Sequence, residues 1–241
     1  MKDRDNRTIK LIGEDGMDKL RKATIMIVGI GGVGSYAAEA IARAGVGRII
    51  VMDGDVVAES NLNRQLVALA STVGRNKAEV MAERIRDINP GCDVTAVPGF
   101  FGRDSGADGG LSLCRIIDSV NVSPDWVIDA IDDVDAKVRM IKEATQQGIR
   151  IVSAMGAASK METHFIASDI AGTTVCPLAK VMRKRLRDEG IEHLPVVYST
   201  EKPIRCERDG NSTDSGLGSI SYVPGSMGLE LAGYVIKELI K

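Results

Sequence analysis

Short apolar runs alternate with segments of helical periodicity through the first part of the chain. The apolar runs occupy residues 24–29, 48–53, 93–97, 126–129 and 149–154. Strands that are buried on both faces of a parallel sheet have this continuous apolar composition. We therefore expect five buried strands that run parallel to one another.

The segments between these runs have the spacing of amphipathic helices. They occupy residues 33–44, 77–88, 110–120 and 134–147. Each ends close to a glycine, proline or asparagine, the residues that commonly terminate a helix. Strands that alternate with helices predict an α/β fold with a doubly wound, mostly parallel sheet of the Rossmann type.

The pattern is less regular after about residue 154, where we expect a mixed extension of the sheet. It predicts a strand over 162–167, a basic helix over 177–189 and a polar stretch over 205–218. The apolar stretch 222–240 contains proline, glycines and charged residues, so we expect a docked terminal helix rather than a membrane span. The glycine-rich segment 99–110 predicts a surface loop.

Composition narrows the class of protein. Of the 241 residues, 44% are hydrophobic and 27% are charged, as in an ordinary globular protein. This length suits one sizeable core, so we expect a single domain. The first 21 residues alternate in charge and lack an apolar segment, so we expect neither a signal peptide nor a transit peptide. We expect a cytoplasmic location.

Charge and cysteine content exclude several further classes. The net charge of −2 gives no overall attraction to nucleic acid, so any RNA contact would use a local basic patch. The cysteines are Cys92, Cys114, Cys176 and Cys206, and none forms a C-x-x-C pair. We therefore expect reduced thiols, with neither structural zinc nor a disulfide framework.

A glycine turn follows the first predicted strand and opens the first helix that comes after it. Gly29, Gly31, Gly32 and Gly34 match the G-x-G-x-x-G fingerprint in the context that it requires. Glycines let backbone amides approach a phosphate, and a helix N-terminus favours its charge. Asp53 ends the next strand, where a carboxylate can accept the ribose hydroxyls. The alternative is a glycine turn that only packs a strand against a helix.

The fingerprint alone does not distinguish NAD from ATP. A dehydrogenase needs a proton donor that faces the cofactor, but the histidines are His164 and His193, and neither lies in a recognisable catalytic context. A NAD-binding oxidoreductase or sensor therefore stays open only as a less favoured class. The residues after Asp53 favour ATP.

An ordered set of polar motifs follows the glycine turn. The motifs are Asp53-Gly54-Asp55, Asn61-Leu62-Asn63-Arg64-Gln65, Gly74-Arg75-Asn76-Lys77 and Ile128-Asp129-Ala130-Ile131-Asp132-Asp133. Together with the turn they resemble the adenylation site of the ThiF/MoeB branch of the ubiquitin-activating superfamily. The resemblance implies one adenylation domain over 1–241, with a nucleotide-binding half over about 1–154 and an acceptor half over about 155–241.

The resemblance also assigns roles within this set. It implies that Asp53 binds ribose, that Asn61, Arg64 and Lys77 hold the triphosphate, and that Asp132 helps to place Mg²⁺. Attack of a carboxylate on the α-phosphorus accumulates negative charge on non-bridging oxygens, which cations stabilise. Asp55 belongs to the same site.

Three residues of these motifs have alternative roles that do not involve the nucleotide. Gln65 either orients its neighbours or is a surface glutamine. Asp129 and Asp133 flank the favoured Asp132, and either flanking residue has helix capping as its alternative role.

The N-terminus carries a further candidate. Arg4-Asp5-Asn6-Arg7 resembles the R-x-N-R segment with which this superfamily supplies an arginine across a dimer interface. The resemblance implies a homodimer in which Arg7 reaches the partner's site and stabilises the transition state. The alternative is an exposed arginine on a frayed terminus.

The second half indicates the branch. Carrier-activating relatives commonly have paired zinc cysteines and a reactive cysteine, and this chain lacks the pairs; Cys176 and Cys206 are the cysteines of this half. Residues 153–159, 177–187 and 198–201 instead resemble the tRNA threonylcarbamoyladenosine dehydratase family. That family's insertion before the C-terminal helix is shortened here, around 206–218, which counts against a sulfur-relay partner.

This resemblance implies an ATP-dependent enzyme that acts on tRNA beside the anticodon. It would adenylate the carboxylate of the modified nucleoside and close it into a ring by intramolecular attack, with AMP as the leaving group. The alternative within the superfamily is an adenylyltransferase that activates the C-terminus of a ubiquitin-like sulfur carrier.

The basic helix offers a local surface for tRNA phosphates. Its candidate residues are Lys180, Arg183, Lys184, Arg185 and Arg187. The alternative is a solvated helix face with no RNA contact.

Overall fold

The computed structural model describes residues 3–102, 110–204 and 217–241. Part of the predicted loop 99–110, most of the polar stretch 205–218 and Cys206 lie outside these residues. The strands are β1 Thr24–Val28, β2 Arg48–Met52, β3 Asp93–Val97, β4 Trp126–Asp129, β5 Arg150–Ala154, β6 Ile166–Asp169 and β7 Pro195–Tyr198. The helices are α1 Asn6–Lys22, α2 Gly34–Ala44, α3 Lys77–Ile88, α4 Leu113–Val120, α5 Val134–Gln146, α6 Pro177–Asp188 and α7 Val223–Ile240.

The strands form one sheet in the order β3-β2-β1-β4-β5-β7-β6. All neighbouring strands are parallel except β6, which pairs antiparallel with β7. The order reverses between β1 and β4, and such a reversal opens a crevice at the carboxyl ends of parallel strands. The predicted doubly wound sheet with a mixed extension is confirmed.

Helices cover both faces of the sheet. Apolar side chains of α2, α3 and α7 pack on one face, and those of α4, α5 and α6 pack on the other. The close contact of α7 with α2 depends on Gly228, because a Cβ there would lie 2.2 Å from the Val33 carbonyl oxygen. The terminal helix is docked as expected, and no helix among the described ranges has the length and apolarity to cross a bilayer.

The first five strands and the helices between them lie within three residues of the predicted bounds. Helix α1 was not predicted, because it is mostly exposed, buries only Gly16, Met17 and Leu20, and is interrupted at Gly13, whose φ is +75°. Without a long apolar stripe, the periodicity of a helix is weak.

The prediction of a strand over 162–167 is wrong in its bounds, because the strand begins four residues later and ends two residues later. The strand β6 is Ile166–Asp169, and it pairs with β7, a short segment that was not predicted. Residues 161 and 162 instead direct their backbone N–H groups to the Glu201 carboxylate. A local apolar pattern does not reveal this long-range partner.

Candidate nucleotide-binding site

A cavity of about 1260 Å³ lies at the carboxyl ends of the central strands. The predicted site residues that line it are Gly29, Gly31, Gly32, Asp53, Asp55, Asn61, Arg64, Gln65, Lys77 and Asp132. These residues come from five separate segments of the chain. The tertiary structure therefore brings the ordered motifs together around one space.

Three glycines of the turn are each required, or favoured, for a different steric reason. Gly29 has a φ of +88°, and a Cβ there would lie 2.7 Å from the Ala130 carbonyl oxygen. A Cβ at Gly34, the first residue of α2, would lie 1.7 Å from the Gly29 carbonyl oxygen. At Gly31 the nearest atom would be Gln65 Nε2, at 3.7 Å. Gly29 and Gly34 thus permit the turn itself, and Gly31 leaves room on the cavity side.

Asp53 follows β2, and its carboxylate is fixed by backbone donors. The N–H of Ile30 donates to Oδ2 at 2.6 Å, and the N–H of Asp55 donates to Oδ1 at 2.8 Å. Burial raises the pKa of Asp53, and these two donors oppose the shift. Each oxygen retains a further lone pair, so the carboxylate can still accept a hydroxyl proton.

Lys77 begins α3 and is buried beside the cavity. Its Nζ donates to Asp55 Oδ2 at 2.9 Å. The preceding Asn76 caps the helix by accepting from the N–H groups of Ala78 and Glu79. The Asn76 amide also donates to the Asp53 carbonyl at 3.2 Å, so the N-terminus of α3 is joined to the end of β2. This local geometry explains why a lysine and an aspartate from distant motifs meet.

The Asn61–Gln65 segment contributes a cation and two buried amides. Arg64 Nη1 donates to the Ser60 carbonyl at 3.0 Å and to Asn63 Oδ1 at 2.8 Å. Asn61 is buried and accepts from the N–H of Ala58 at 3.1 Å. Gln65 is also buried, so the alternative of a surface glutamine is wrong. Its Oε1 has no hydrogen-bond partner within the described part of the chain.

A buried polar network lies beneath Asp132. Lys137 and Asp129 are both fully buried, with Lys137 Nζ 2.9 Å from Asp129 Oδ2. Lys137 Nζ also donates to the Ile131 carbonyl at 3.0 Å, and the N–H of Ile131 donates to Asp129 Oδ1 at 3.1 Å. Ser153 Oγ donates to Asp129 Oδ2 at 2.6 Å. Both polar groups of the Ile131 backbone are thereby held, next to the exposed Asp132.

This network excludes the helix-capping alternative for Asp129. Helix α5 is capped by Asp133, which accepts from the N–H of Ala136 at 2.9 Å, and not by Asp129. Lys137 was missed because a single lysine within a helical pattern has the appearance of a surface residue. Its position four residues from Asp133 and eight from Asp129 becomes informative only when β4 and α5 are packed together.

The acceptor half supplies the other side of the cavity. Residues 154–160 line it continuously, together with Cys176, Pro177, Leu178 and Pro203. Cys176 is buried immediately before α6. Lys160 is a cationic lining residue that the sequence motifs did not include, although it follows directly after the branch-specific segment 153–159.

The remaining predicted residues lie outside this cavity. Arg7 is exposed on α1, away from the cavity of its own chain. On α6, Lys180, Lys184 and Arg187 are exposed. Arg183 Nη1 donates to the Thr173 carbonyl at 2.8 Å.

Arg185 pairs with Asp135 of α5 at 2.6 Å. Arg183 and Arg185 thus make contacts within the chain, although Arg185 is exposed. Lys180, Lys184 and Arg187 form the exposed stripe of α6 that makes no ion pair within the described ranges.

The fold and the cavity define a class. A glycine turn at the switch point of a doubly wound sheet, a fixed carboxylate after β2 and cations facing the same space are the components of a nucleotide-binding α/β protein. The model of the ThiF family matches residues 4–241. The chain therefore belongs to the ThiF family, as its motifs predicted.

Two relatives align with most of the chain. The tRNA threonylcarbamoyladenosine dehydratase of Bacillus subtilis (strain 168) is 40% identical over 246 aligned positions, which cover 95% of this chain and 92% of the relative. The enzyme of the same name from Escherichia coli (strain K12) is 35% identical, over 75% of this chain and 72% of the relative.

A solved structure agrees with these relatives. The crystal structure of the E. coli tRNA N6-threonylcarbamoyladenosine dehydratase in complex with ATP superimposes with a TM-score of 0.84 at 36% identity. The match covers 98% of this chain and 93% of that one. A complex of the same enzyme with AMP gives the same TM-score over 97% of this chain and 92% of that one.

Proposed function

We propose that this chain is an ATP-dependent tRNA threonylcarbamoyladenosine dehydratase. The observation that carries the proposal is the convergence of Asp53, Arg64, Lys77 and Asp132 on one cavity in a chain of this ancestry. The E. coli relative of the same fold binds ATP and AMP. Residues 1–241 then form one adenylation domain, with the nucleotide half over about 1–154 and the acceptor half over about 155–241.

The nucleotide half binds ATP in this proposal. Asp53 accepts hydrogen bonds from the ribose hydroxyls, and the space beside Gly31 admits the phosphates. Asn61, Arg64 and Lys77 bind the triphosphate, while Gln65 offers its unpartnered Oε1 near the turn. Lys77 bonded to Asp55 retains two more ammonium protons for phosphate oxygens.

A magnesium ion suits the same cavity. Asp132 exposes its carboxylate to the cavity, and carboxylate oxygens together with substrate phosphates are the ligands that Mg²⁺ prefers. When bound, the ion would neutralise charge on the phosphates. The buried pair of Lys137 and Asp129 holds the adjoining Ile131 backbone, and so restricts where Asp132 can place its carboxylate.

The reaction begins at the carboxylate of the modified nucleoside. One carboxylate oxygen attacks the α-phosphorus, and the bond to pyrophosphate breaks, which leaves an acyl adenylate. A nucleophile of the same modification then attacks the acyl carbon, AMP leaves with the former carboxylate oxygen, and the ring closes with net loss of water. Arg64 and Lys77 lower the first barrier because negative charge builds up on the phosphate oxygens beside them.

Two partners complete the proposal. Lys180, Lys184 and Arg187 lie one helical turn apart on α6 and form an exposed cationic stripe suited to RNA phosphates. A second copy of the chain supplies Arg7, whose exposed position on α1 leaves it free to reach a neighbouring protomer's cavity. The enzyme acts in the cytoplasm.

A mass measurement tests the proposed function. The protein is incubated with ATP, Mg²⁺ and tRNA that carries threonylcarbamoyladenosine, and the nucleosides are then analysed by mass spectrometry. The expected result is loss of one water from that nucleoside, only when ATP is present. An unchanged nucleoside, together with pyrophosphate exchange stimulated by a sulfur-carrier protein, would instead support a carrier-activating enzyme.

A further inference from the structure

Three cationic residues among the described ones line the cavity, and they differ in origin. Arg64 and Lys77 belong to the nucleotide half, whereas Lys160 belongs to the acceptor half. Lys160 is 4% exposed, so its ammonium group has lost most of its hydration. A buried ammonium is costly unless hydrogen bonds or an opposite charge compensate for it.

The protein compensates Lys160 only in part. Its Nζ donates to the carbonyl oxygen of Glu201, which uses one of three ammonium protons. Lys77 has a carboxylate partner in Asp55, whereas Lys160 forms no ion pair within salt-bridge distance among the described residues. Its opposite charge is the more distant Glu201 carboxylate, whose pKa it helps to lower. The cavity therefore contains a lysine on its acceptor side that retains the capacity to bind an anion.

The Glu201 carboxylate fixes the backbone that carries this lysine. It accepts from the N–H of Met161 at 3.0 Å and from the N–H of Glu162 at 3.0 Å. Tyr222 Oη donates to the Met161 carbonyl at 2.8 Å. The N–H of Met161 is the main reason that the pKa of Glu201 is lowered, so this carboxylate stays ionised and keeps its hydrogen bonds.

We propose that Lys160 binds the carboxylate of the acceptor nucleoside and thereby determines acceptor specificity, and that Glu201 is its positioning residue. The inference rests on the proposed function, whose acceptor is an anion that must approach the anionic triphosphate. A cation on the acceptor side offsets that repulsion and holds one carboxylate oxygen while the other attacks. Lys160, which directly follows the branch-specific segment 153–159, thus meets Glu201 of the segment 198–201.

A comparison of two acceptors tests Lys160. Binding is measured for tRNA with the free carboxylate of threonylcarbamoyladenosine and for the same tRNA with that carboxylate methylated. The wild-type protein is expected to prefer the free carboxylate by about 10- to 100-fold, the range for a hydrogen bond between charged groups. Lys160→Met is expected to lose this preference and Lys160→Arg to retain most of it, with ATP binding unchanged in both. Equal preference in wild type and Lys160→Met would overturn the inference.

Further measurements separate the possible failures. Thermal unfolding identifies any variant that does not fold, and Lys160→Gln then replaces Lys160→Met in the same comparison. If the wild-type protein turns over modified tRNA but binds both acceptors equally, only the role of Lys160 is refuted. If it does not turn over modified tRNA with ATP at all, the proposed function itself is refuted.

Glu201 has its own test. Glu201→Gln is expected to raise KM for modified tRNA several-fold with KM for ATP unchanged, because an amide cannot accept from both backbone donors as a carboxylate does. Glu162→Gln removes an exposed carboxylate from the same loop and is the matched control, expected to behave as wild type. Equal changes in both KM values, or none, would contradict a positioning role on the acceptor side.

Discussion

Arg64 and Lys77 are held by the protein in different ways, yet both face the reacting phosphates in the proposed complex. Arg64 is anchored to backbone and amide oxygens, whereas Lys77 is paired with Asp55. Their main contribution is expected in the transition state, where negative charge is greatest. Their loss should therefore affect turnover far more than stability.

Substitution of either cation tests this role. Arg64→Ala and Lys77→Ala are each expected to lower kcat by about 100- to 1,000-fold, the usual loss when one preorganised charge-stabilising donor is removed. Turnover is followed by pyrophosphate release with modified tRNA. Arg75→Ala, which removes a neighbouring exposed arginine paired with Glu83, is the control and should retain activity. Unchanged ATP consumption in both site variants would refute the site assignment.

At the scale of elements, the turn between β1 and α2 has no space for a side chain at its end. A Cβ at Gly34 would overlap the Gly29 carbonyl oxygen, so Gly34→Ala is expected to destabilise the protein by about 1 to 3 kcal/mol and to abolish thermal stabilisation by ATP. Gly91→Ala is the matched control, because a Cβ there meets only Asn89 Oδ1 at 3.8 Å. A wild-type ATP response in Gly34→Ala would contradict the steric argument.

The junction of β4, β5 and α5 depends on a buried ion pair. Lys137→Met leaves Asp129 buried without its cation and is expected to reduce the free energy of unfolding by about 3 to 5 kcal/mol in urea denaturation. Lys142 lies on the same helix as Lys137 and forms an exposed ion pair with Glu189. Lys142→Met removes that pair and should cost at most about 1 kcal/mol. Asp129→Leu combined with Lys137→Met should recover part of the loss, since neither charge is then left unpaired. Equal losses in Lys137→Met and Lys142→Met would refute this role.

At the scale of the whole molecule, tRNA binding is expected to depend on one local surface, because the net charge is only −2. Reversal of Lys180, Lys184 and Arg187 to glutamate should weaken tRNA binding. It should also reduce the slope of log affinity against log salt by about one unit for each lost phosphate contact. Affinity is measured by fluorescence anisotropy over a salt series, and ATP binding should be unchanged.

The opposite face of the molecule provides the control for that experiment. Lys22, Arg43 and Lys237 are exposed on α1, α2 and α7, so their reversal changes the net charge equally without altering α6. If both triple variants weaken tRNA binding equally, the effect is one of overall charge. The stripe on α6 would then be only a solvated helix face.

The proposed homodimer makes a separate prediction. If Arg7 acts in the partner's cavity, Arg7→Ala and Arg64→Ala are each inactive alone. In a mixed dimer, however, one cavity has its own Arg64 and the partner's Arg7. Random mixing should then restore about a quarter of wild-type turnover, since half of the dimers are mixed and each has one intact site. No recovery, with mixed dimers verified by mass, would refute action in trans.

The local sequence pattern was sufficient to predict elements whose buried positions recur regularly along the chain. Strands β1 to β5 have continuous apolar runs, and the glycine turn, Asp53 and Lys77 are each recognised from the strand or helix that they adjoin. Gln65 and Asp129 could not be assigned in this way. Gln65 follows three polar residues of its motif but is buried, and Asp129 is bonded to Lys137 and Ser153 instead of capping a helix.

The amino-acid sequence by itself determined the class of fold, the nucleotide fingerprint and the order of the adenylation motifs, because each of these is expressed within a short stretch of chain. Only the tertiary structure decided which cations of α6 are exposed, that Lys137 lies beneath Asp132, and that Lys160 and Glu201 meet at the acceptor side. These contacts join different strands, helices and loops, and their energies depend on burial and on partners that no local pattern specifies.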